Sequence, residues 1–203
     1  MSSSDSKAAA SAPHRLSPLL AALLLAACSS SPPVQLYQLR ADPPGAAMAP
    51  VQPTTTAWAL GPVLLPEYLD RDAIVRPSGQ SALQVTPTQR WAEPLRDAVP
   101  RLLQQDLAKL RGTDQVWRLP LPPGVKVERQ LRVELQRFDA GLGGQSVVLQ
   151  ARWTLIDTGG TSKPQVFERR IEVASSDPSM DALVSAHRSA LWQLAQAIVA
   201  DTR

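Results

Sequence analysis

Alternation of apolar and polar side chains constrains this chain more than any other feature. It holds over residues 125–136 and returns over 147–155 and 167–173. Successive side chains of a strand point to opposite faces, so each stretch predicts a strand with one buried face and one wet face. Glycine-rich turn sequences at 141–144 and 157–160 separate the three stretches. The pattern predicts a three-stranded antiparallel meander.

Two other stretches have the 3.6-residue period of amphipathic helices. The apolar stripe of the first, over residues 91–110, comprises Leu95, Val99, Leu102, Leu103, Leu107 and Leu110. We expect the helix to end at Gly112 and to kink at Pro100, because proline removes a backbone hydrogen bond. We expect Asp177 to cap the second helix, with Pro178 at its first position. The stripe of that helix comprises Met180, Leu183, Val184, Leu191, Leu194 and Ile198.

Shorter strand candidates precede the first helix. They cover residues 34–39 and 56–63, and 73–85 has the pattern of a hairpin. The sheet and both helices each have one apolar face that must be buried. Packing the helices on the apolar face of the sheet buries all of these faces together. We therefore predict an α+β fold: a two-layer sandwich of an antiparallel β-sheet with two main amphipathic helices packed on one face.

The N-terminal segment has the organisation of a secretory signal. Lys7 and Arg15 precede a short apolar run that ends in Leu-Ala-Ala-Cys at Cys28. This ending resembles the lipobox of bacterial lipoproteins, which implies that residues 1–27 are a signal peptide and that Cys28 carries acyl chains such as palmitate. By the same resemblance, Ser29 sorts the lipoprotein to the outer membrane. The alternative is an ordinary signal or membrane anchor with an incidental cysteine, but the run is short for a spanning helix.

The rest of the chain divides into a tether and one domain. Residues 28–55 contain the lipidated N-terminus, the first strand and a proline-rich connection, and residues 56–203 suit a single α+β domain. Cys28 is the only cysteine, so stability has to come from a core, which a hydrophobic content of 44% allows. A net charge of +3 forms no basic patch, and we expect no nucleic acid partner.

The sequence offers little catalytic chemistry. His187 is the one histidine after the signal, and Ser185 and Ser189 lie two residues away, where helical side chains do not face each other. No cluster has metal-ligand spacing. We predict a non-catalytic protein with no metal and no cofactor other than the acyl chains on Cys28. A hydrolase that uses paired carboxylates stays open as an alternative.

Two motifs carry a family resemblance. Residues 61–71 are Gly-Pro-Val-Leu-Leu-Pro-Glu-Tyr-Leu-Asp-Arg, and residues 89–95 are Gln-Arg-Trp-Ala-Glu-Pro-Leu. A Tyr-Gln-Leu segment at 37–39 and an Ile-Val-Arg segment at 74–76 accompany them. Together with the lipobox, these segments resemble the ABC-type transport auxiliary lipoproteins of the PqiC/YmbA type. Asp72 departs from the pattern of that family, in which proline usually follows the Asp-Arg pair.

The resemblance implies an accessory role in lipid transport. Such lipoproteins work with a permease, an ATPase and MCE-domain proteins that form a conduit across the periplasm. We therefore expect a lipid-anchored protein on the periplasmic face of the outer membrane that docks or receives the conduit. Outer-membrane lipid is a further expected partner, and a homo-oligomer is an open option. The alternative functions are a stand-alone periplasmic lipid-binding carrier and an outer-membrane assembly lipoprotein.

The resemblance also selects candidate partner contacts. They are the side chains of the two motifs that combine apolar, aromatic and charged character: Tyr68, Leu69, Asp70, Arg71, Arg90 and Trp91. Tryptophan and arginine are common interface hot spots. In the alternative interpretation, Asp70 pairs with Arg71 to close a corner of the fold and Trp91 belongs to the core.

Overall fold

The structure is a computed structural model that describes residues 32–42 and 54–202. In chain order, its elements are β1 (Gln35–Tyr37), β2 (Trp58–Leu64), a 3-10 helix (Glu67–Leu69), β3 (Ala73–Pro77), β4 (Leu83–Trp91), α1 (Leu95–Arg111), β5 (Val116–Arg118), β6 (Arg129–Ala140), β7 (Ser146–Asp157), β8 (Gln165–Ala174) and α2 (Met180–Asp201). The predicted signal peptide at 1–27, the acylation site Cys28 and the sorting residue Ser29 lie outside the described residues, as does most of the proline-rich connection.

The predicted meander forms one side of a five-stranded sheet. Strand β7 pairs antiparallel with β6 and with β8, as the alternation and the glycine turns predict. The β6–β7 register shifts between Leu135 and Arg137. This bulge changes the parity of β6, so Phe138 and Ala140 continue the buried face that Leu131, Val133 and Leu135 begin.

The rest of this sheet is parallel, which corrects the prediction of a single antiparallel sheet. The strand order is β5-β2-β6-β7-β8, and β2 runs parallel to both β5 and β6. The connection from β2 to β5 contains a hairpin and α1. A crossover of that length returns the chain in the same direction, as parallel pairing requires.

The other three strands form a second sheet with the order β1-β4-β3. Strands β3 and β4 are the predicted hairpin, and β1 runs parallel to β4. Strand β4 continues to Trp91, so the expectation that Trp91 opens the first helix is wrong. Its indole lies in the core instead, and the helix begins four residues later, after Pro94.

Both predicted helices form, and their boundaries have local causes. Helix α1 is continuous through Pro100 and ends at Gly112, which adopts φ 62°, a left-handed conformation that favours glycine. The cap of α2 is Ser179 rather than Asp177: its hydroxyl accepts a hydrogen bond from the Ala182 amide at 3.1 Å. The Asp177 carboxylate instead accepts from the Ser179 amide at 2.8 Å, in the turn before the helix.

The helices pack against each other and against the five-stranded sheet, which confirms the predicted α+β class with helices packed on sheet. The fully buried apolar side chains of this layer include Leu102, Leu103, Leu107, Leu131, Leu149, Leu191 and Ile198. Burying a side chain of this size contributes about 1.5–3 kcal/mol. The opposite face of the meander is wet, as predicted. Within the described residues, neither helix is long and apolar enough to cross a membrane.

Candidate functional site

The two sequence motifs meet at one corner of the molecule. The first supplies the turn into β3, and the second supplies the end of β4 and the approach to α1. The Trp91 amide donates a hydrogen bond to the Asp72 carbonyl oxygen at 2.7 Å. Ala73 pairs with Arg90 in the β3–β4 ladder. The fold therefore places side by side two segments that are separate in the sequence; we call this place the motif corner, defined by Asp70, Arg71 and Arg90.

The charged side chains of the motif corner are exposed. The Asp70 carboxylate pairs with the Arg96 guanidinium in the first turn of α1. This corrects the alternative interpretation in which Asp70 pairs with Arg71. The Arg90 Nε donates to the Pro87 carbonyl oxygen at 3.0 Å. An exposed ion pair contributes only about 0–1 kcal/mol to stability, so these charges have little structural purpose and are accessible to a partner.

Two of the predicted contact residues lie inside the molecule. Leu69 and Trp91 are both buried in the core cluster. The Trp91 indole packs edge-on against the His187 imidazole, with ring centroids 5.6 Å apart. A side chain without exposed surface cannot touch a partner directly. Leu69 and Trp91 therefore hold the motif corner in place from below.

Tyr68 lies between these two groups. Its hydroxyl donates a hydrogen bond to Asp139 Oδ2 at 2.9 Å, and the Arg137 Nε donates to Asp139 Oδ1 at 2.6 Å. Burial, followed by the nearby Asp139 charge, raises the pKa of Tyr68 well above its ordinary value. Tyr68 therefore stays a neutral donor that ties the 3-10 helix to β6. It also borders an open cleft of about 320 Å³ that Leu83 and Leu142 line.

Gly61 opens the first motif for a steric reason. A Cβ built at this position would lie 3.1 Å from the Leu131 carbonyl oxygen and 3.1 Å from Gln130 Nε2. The parallel pairing of β2 with β6 brings the two backbones together at this point. Glycine permits that close approach, which explains the residue type without any role in binding.

His187 has the environment of a packing residue. Its side chain is buried between the Trp91 and Phe138 rings, and its Nδ1 lies 2.8 Å from the Leu183 carbonyl oxygen. Burial lowers the pKa of His187 to about 4. At neutral pH the ring is uncharged, and Nδ1 donates to that carbonyl. Within residues 32–42 and 54–202, no group of three His, Cys, Asp or Glu side chains could hold a metal ion.

Sequence reasoning missed a buried ion pair between the helices. The Arg188 guanidinium donates to both carboxylate oxygens of Asp106, at 2.6 and 2.7 Å, and each residue is 2% exposed. Arg188 also donates to the carbonyl oxygens of Arg40 and Ala41, at 2.7 and 2.8 Å. We call this the tether clamp, because it fixes the chain that follows β1 to the helix pair.

The sequence did contain a signal for the tether clamp. Asp106 falls within the leucine stripe of α1 and Arg188 within the apolar stripe of α2. A lone charge on an apolar stripe is costly to bury unless it finds a partner of opposite sign. Burial raises the pKa of Asp106, and Arg188 opposes that rise. Opposite charges on two helices that pack together would have been enough to predict the pair.

Comparison with known proteins decides the family. A sequence model of the ABC-type transport auxiliary lipoprotein component family matches residues 37–199, which include both motifs and both helices. The chain belongs to this family. The resemblance that the motifs carry is thereby confirmed, and the match continues beyond α1 through most of α2, to residue 199. No functionally curated protein matches the sequence significantly.

Solved structures agree with the fold. A crystal structure of an uncharacterised protein is 18% identical, with a TM-score of 0.67, and the alignment covers 85% of this chain and 100% of that one. The protein XCC0632 from Xanthomonas campestris, of the DUF330 family, is also 18% identical, with a TM-score of 0.60 and coverage of 83% and 94%. At these identities the likeness shows the fold, and the role in transport comes from the family match.

Proposed function

We propose that this protein is an outer-membrane lipoprotein that docks, or receives, the periplasmic conduit of an MCE-type ABC lipid transport system. Acyl chains on Cys28 anchor it to the periplasmic face of the membrane. The domain performs no chemistry and works with the MCE-domain protein and its permease and ATPase. The observation that carries the proposal is the motif corner, where the two family motifs converge and leave Asp70, Arg71 and Arg90 exposed.

The physical character of the motif corner suits protein docking. Exposed arginines provide fixed, planar groups of donors for carboxylates on a partner. Their support is rigid, because Leu69 and Trp91 are packed in the core below them. A rigid surface loses little entropy when it binds. The charges at the corner have both signs, which favours a specific partner over general attraction to anionic surfaces.

The packing of the core also favours docking over the lipid-carrier alternative. A carrier needs an internal apolar cavity large enough for an acyl chain. The space between helices and sheet is occupied by side chains that are fully buried, among them Leu103, Leu107, Leu149 and Leu191. Three clefts that described residues form are open to solvent.

Co-purification from native membranes tests the proposal. The full-length tagged protein is solubilised gently, and the proteins that accompany it are identified by mass spectrometry. We expect an MCE-domain protein with its permease and ATPase. Arg71→Glu and Arg90→Glu should each reduce recovery of that protein by about tenfold, the effect of losing an interface hot spot. Arg132→Glu is the matched control, because Arg132 is an exposed arginine on the wet face of β6.

The outcomes separate the proposal from its alternatives. Equal recovery of the MCE-domain protein with all three variants would exclude docking through the motif corner. Lipid at a fixed ratio, without protein partners, would support the carrier. The anchor is tested separately: Cys28→Ala should abolish palmitate labelling and release the folded domain from the membrane. Labelling that persists in this variant would contradict the acylation site.

A further inference from the structure

One end of the molecule has the character of a surface that rests on lipid. We propose that the tip of the β3–β4 hairpin, together with the β6–β7 turn, contacts the bilayer to which Cys28 is anchored. We call this surface the apolar tip and define it by Leu83, Val85 and Leu142. The inference rests on the proposed acylation of Cys28 and adds an orientation of the domain on the membrane.

Apolar exposure is the first observation. Leu142 is 65% exposed and Leu83 is 48% exposed, and exposed apolar side chains that adjoin one another indicate a contact surface, whereas single ones do not. Both line the same open cleft, so the hairpin tip and the β6–β7 turn lie side by side. Val34 and Leu36, at the start of β1, are also exposed. Leu36 pairs with Arg90, however, so β1 is at the other end of β4 and the apolar tip consists of Leu83, Val85 and Leu142 alone.

The absence of charge is the second observation. The two segments that form the apolar tip contain no Asp, Glu, Lys or Arg: residues 77–89 and 140–151. In the whole chain, 19% of residues are charged. A surface that enters the headgroup region loses part of its hydration, and charged groups would make that loss costly. Charged side chains that come near the tip belong to neighbouring strands: Arg137 and Asp139 line the cleft and pair with each other at 2.6 Å, and the Arg76 guanidinium approaches Gly144. The segments of the tip itself carry none.

The course of the chain supplies the third observation. Strand β1 is parallel to β4, with Gln35 opposite Gln89, so the chain enters β1 from the side of the hairpin tip. Cys28 precedes Gln35 by seven residues, which reach at most about 25 Å when extended. Along β4, the distance from Gln89 to Leu83 is about 20 Å at 3.3 Å per residue. The tether is therefore short enough to keep the tip close to the membrane.

This orientation agrees with the position of the motif corner. Arg90 is at the far end of β4 from Leu83, about 23 Å away at the rise of an extended strand. A domain that rests on the apolar tip presents Asp70, Arg71 and Arg90 to the periplasm. The two surfaces would then serve different partners, lipid at one end of β4 and protein at the other.

Depth-dependent fluorescence quenching tests the inference. Because Cys28 is the only cysteine and acylation occupies it, an introduced cysteine is a unique site for a fluorescent label. The full-length lipidated Leu83→Cys and Leu142→Cys variants are labelled and reconstituted in phosphatidylethanolamine–phosphatidylglycerol vesicles that contain spin-labelled lipid. Val166→Cys is the matched control: Val166 is 61% exposed and pairs with Thr154, near the opposite end of β7.

We expect lipid-borne quenching at positions 83 and 142 to exceed that at 166 by about twofold or more, because interfacial side chains insert about 5–10 Å into the headgroup boundary. Equal quenching at all three positions, in protein that floats with the vesicles, would overturn the inference and leave the anchor intact. Protein that does not float would show that the anchor itself is wrong, and the inference would fall with it. Self-quenching at the tip without lipid quenching would assign the tip to a second copy of the chain.

Discussion

The tether clamp gives the most quantitative prediction. Arg188→Met keeps an unbranched apolar side chain but removes the guanidinium, so the Asp106 carboxylate stays buried without a cation. Removal of one partner of a buried ion pair costs about 3–5 kcal/mol. The carbonyl groups of Arg40 and Ala41 add little to this cost, because both residues are exposed and water can reach them. We therefore expect the free energy of unfolding to fall by about 3–5 kcal/mol.

Urea unfolding of the full chain measures this change, and thermal unfolding provides a check. For a domain of this size each kcal/mol corresponds to about 2–4 °C, so the melting temperature should fall by about 6–20 °C. The difference in the free energy of unfolding between Arg188→Met and the native sequence should decrease as the pH is lowered, because a protonated Asp106 has no charge to bury. Trypsin should also cleave after Arg40 faster, because Arg188 no longer holds that carbonyl group.

A double variant makes the reasoning refutable. Asp106→Leu combined with Arg188→Met replaces the pair by apolar side chains, and such replacements are often neutral or stabilising. The double variant should therefore be more stable than either single variant. If Arg188→Met costs less than about 1 kcal/mol, or if the two single effects simply add, the buried pair is not the coupled unit that its geometry indicates.

Three further predictions follow from the same contacts. Burial lowers the pKa of His187 from an ordinary 6.5 to about 4 in the folded protein, so between these pH values only the unfolded chain takes up the proton. The free energy of unfolding should therefore be highest above pH 6.5 and fall by about 3 kcal/mol towards pH 4. Urea unfolding of His187→Gln should show a weaker dependence on pH. Tyr68→Phe removes a donor to the buried Asp139 carboxylate and should lower the free energy of unfolding by about 1–3 kcal/mol; no change would mean that water replaces the hydroxyl. Pro100→Ala restores a helical hydrogen bond and should raise the melting temperature and add about 1–3 kcal/mol to the free energy of unfolding; an unchanged or lower melting temperature would contradict this.

The elements with a strong period could be predicted from the sequence. Alternation identified β6, β7 and β8, because a period of two holds wherever one face of a strand is buried. The apolar stripes identified both helices. Their first residues were predicted less well, since Asp177 and Ser179 are equally plausible caps in sequence and the hydrogen bond to Ala182 decides between them. The parallel direction of β2 depends on a crossover, which has no local signal.

The sequence predicted which residues belong to the site, but it did not predict how they are arranged. The resemblance selected both motifs, and the structure brings them together through the β3–β4 ladder. Which side chains point outward could not be deduced: Asp70 and Arg71 are exposed, whereas Leu69 and Trp91 belong to the core. Burial depends on contacts between distant segments, as the packing of Trp91 against His187 demonstrates.

Crosslinking in intact cells tests the central proposal most directly. Since the proposed acylation leaves no free thiol on Cys28, Asp72→Cys introduces the only one beside Arg71, at an exposed position that keeps both corner arginines, and a thiol-reactive photocrosslinker can be attached there. The proposal predicts a covalent adduct between position 72 and an MCE-domain protein, and no such adduct from the control Arg132→Cys. Adducts of equal yield at both positions, or an adduct at position 132 alone, would contradict docking through the motif corner.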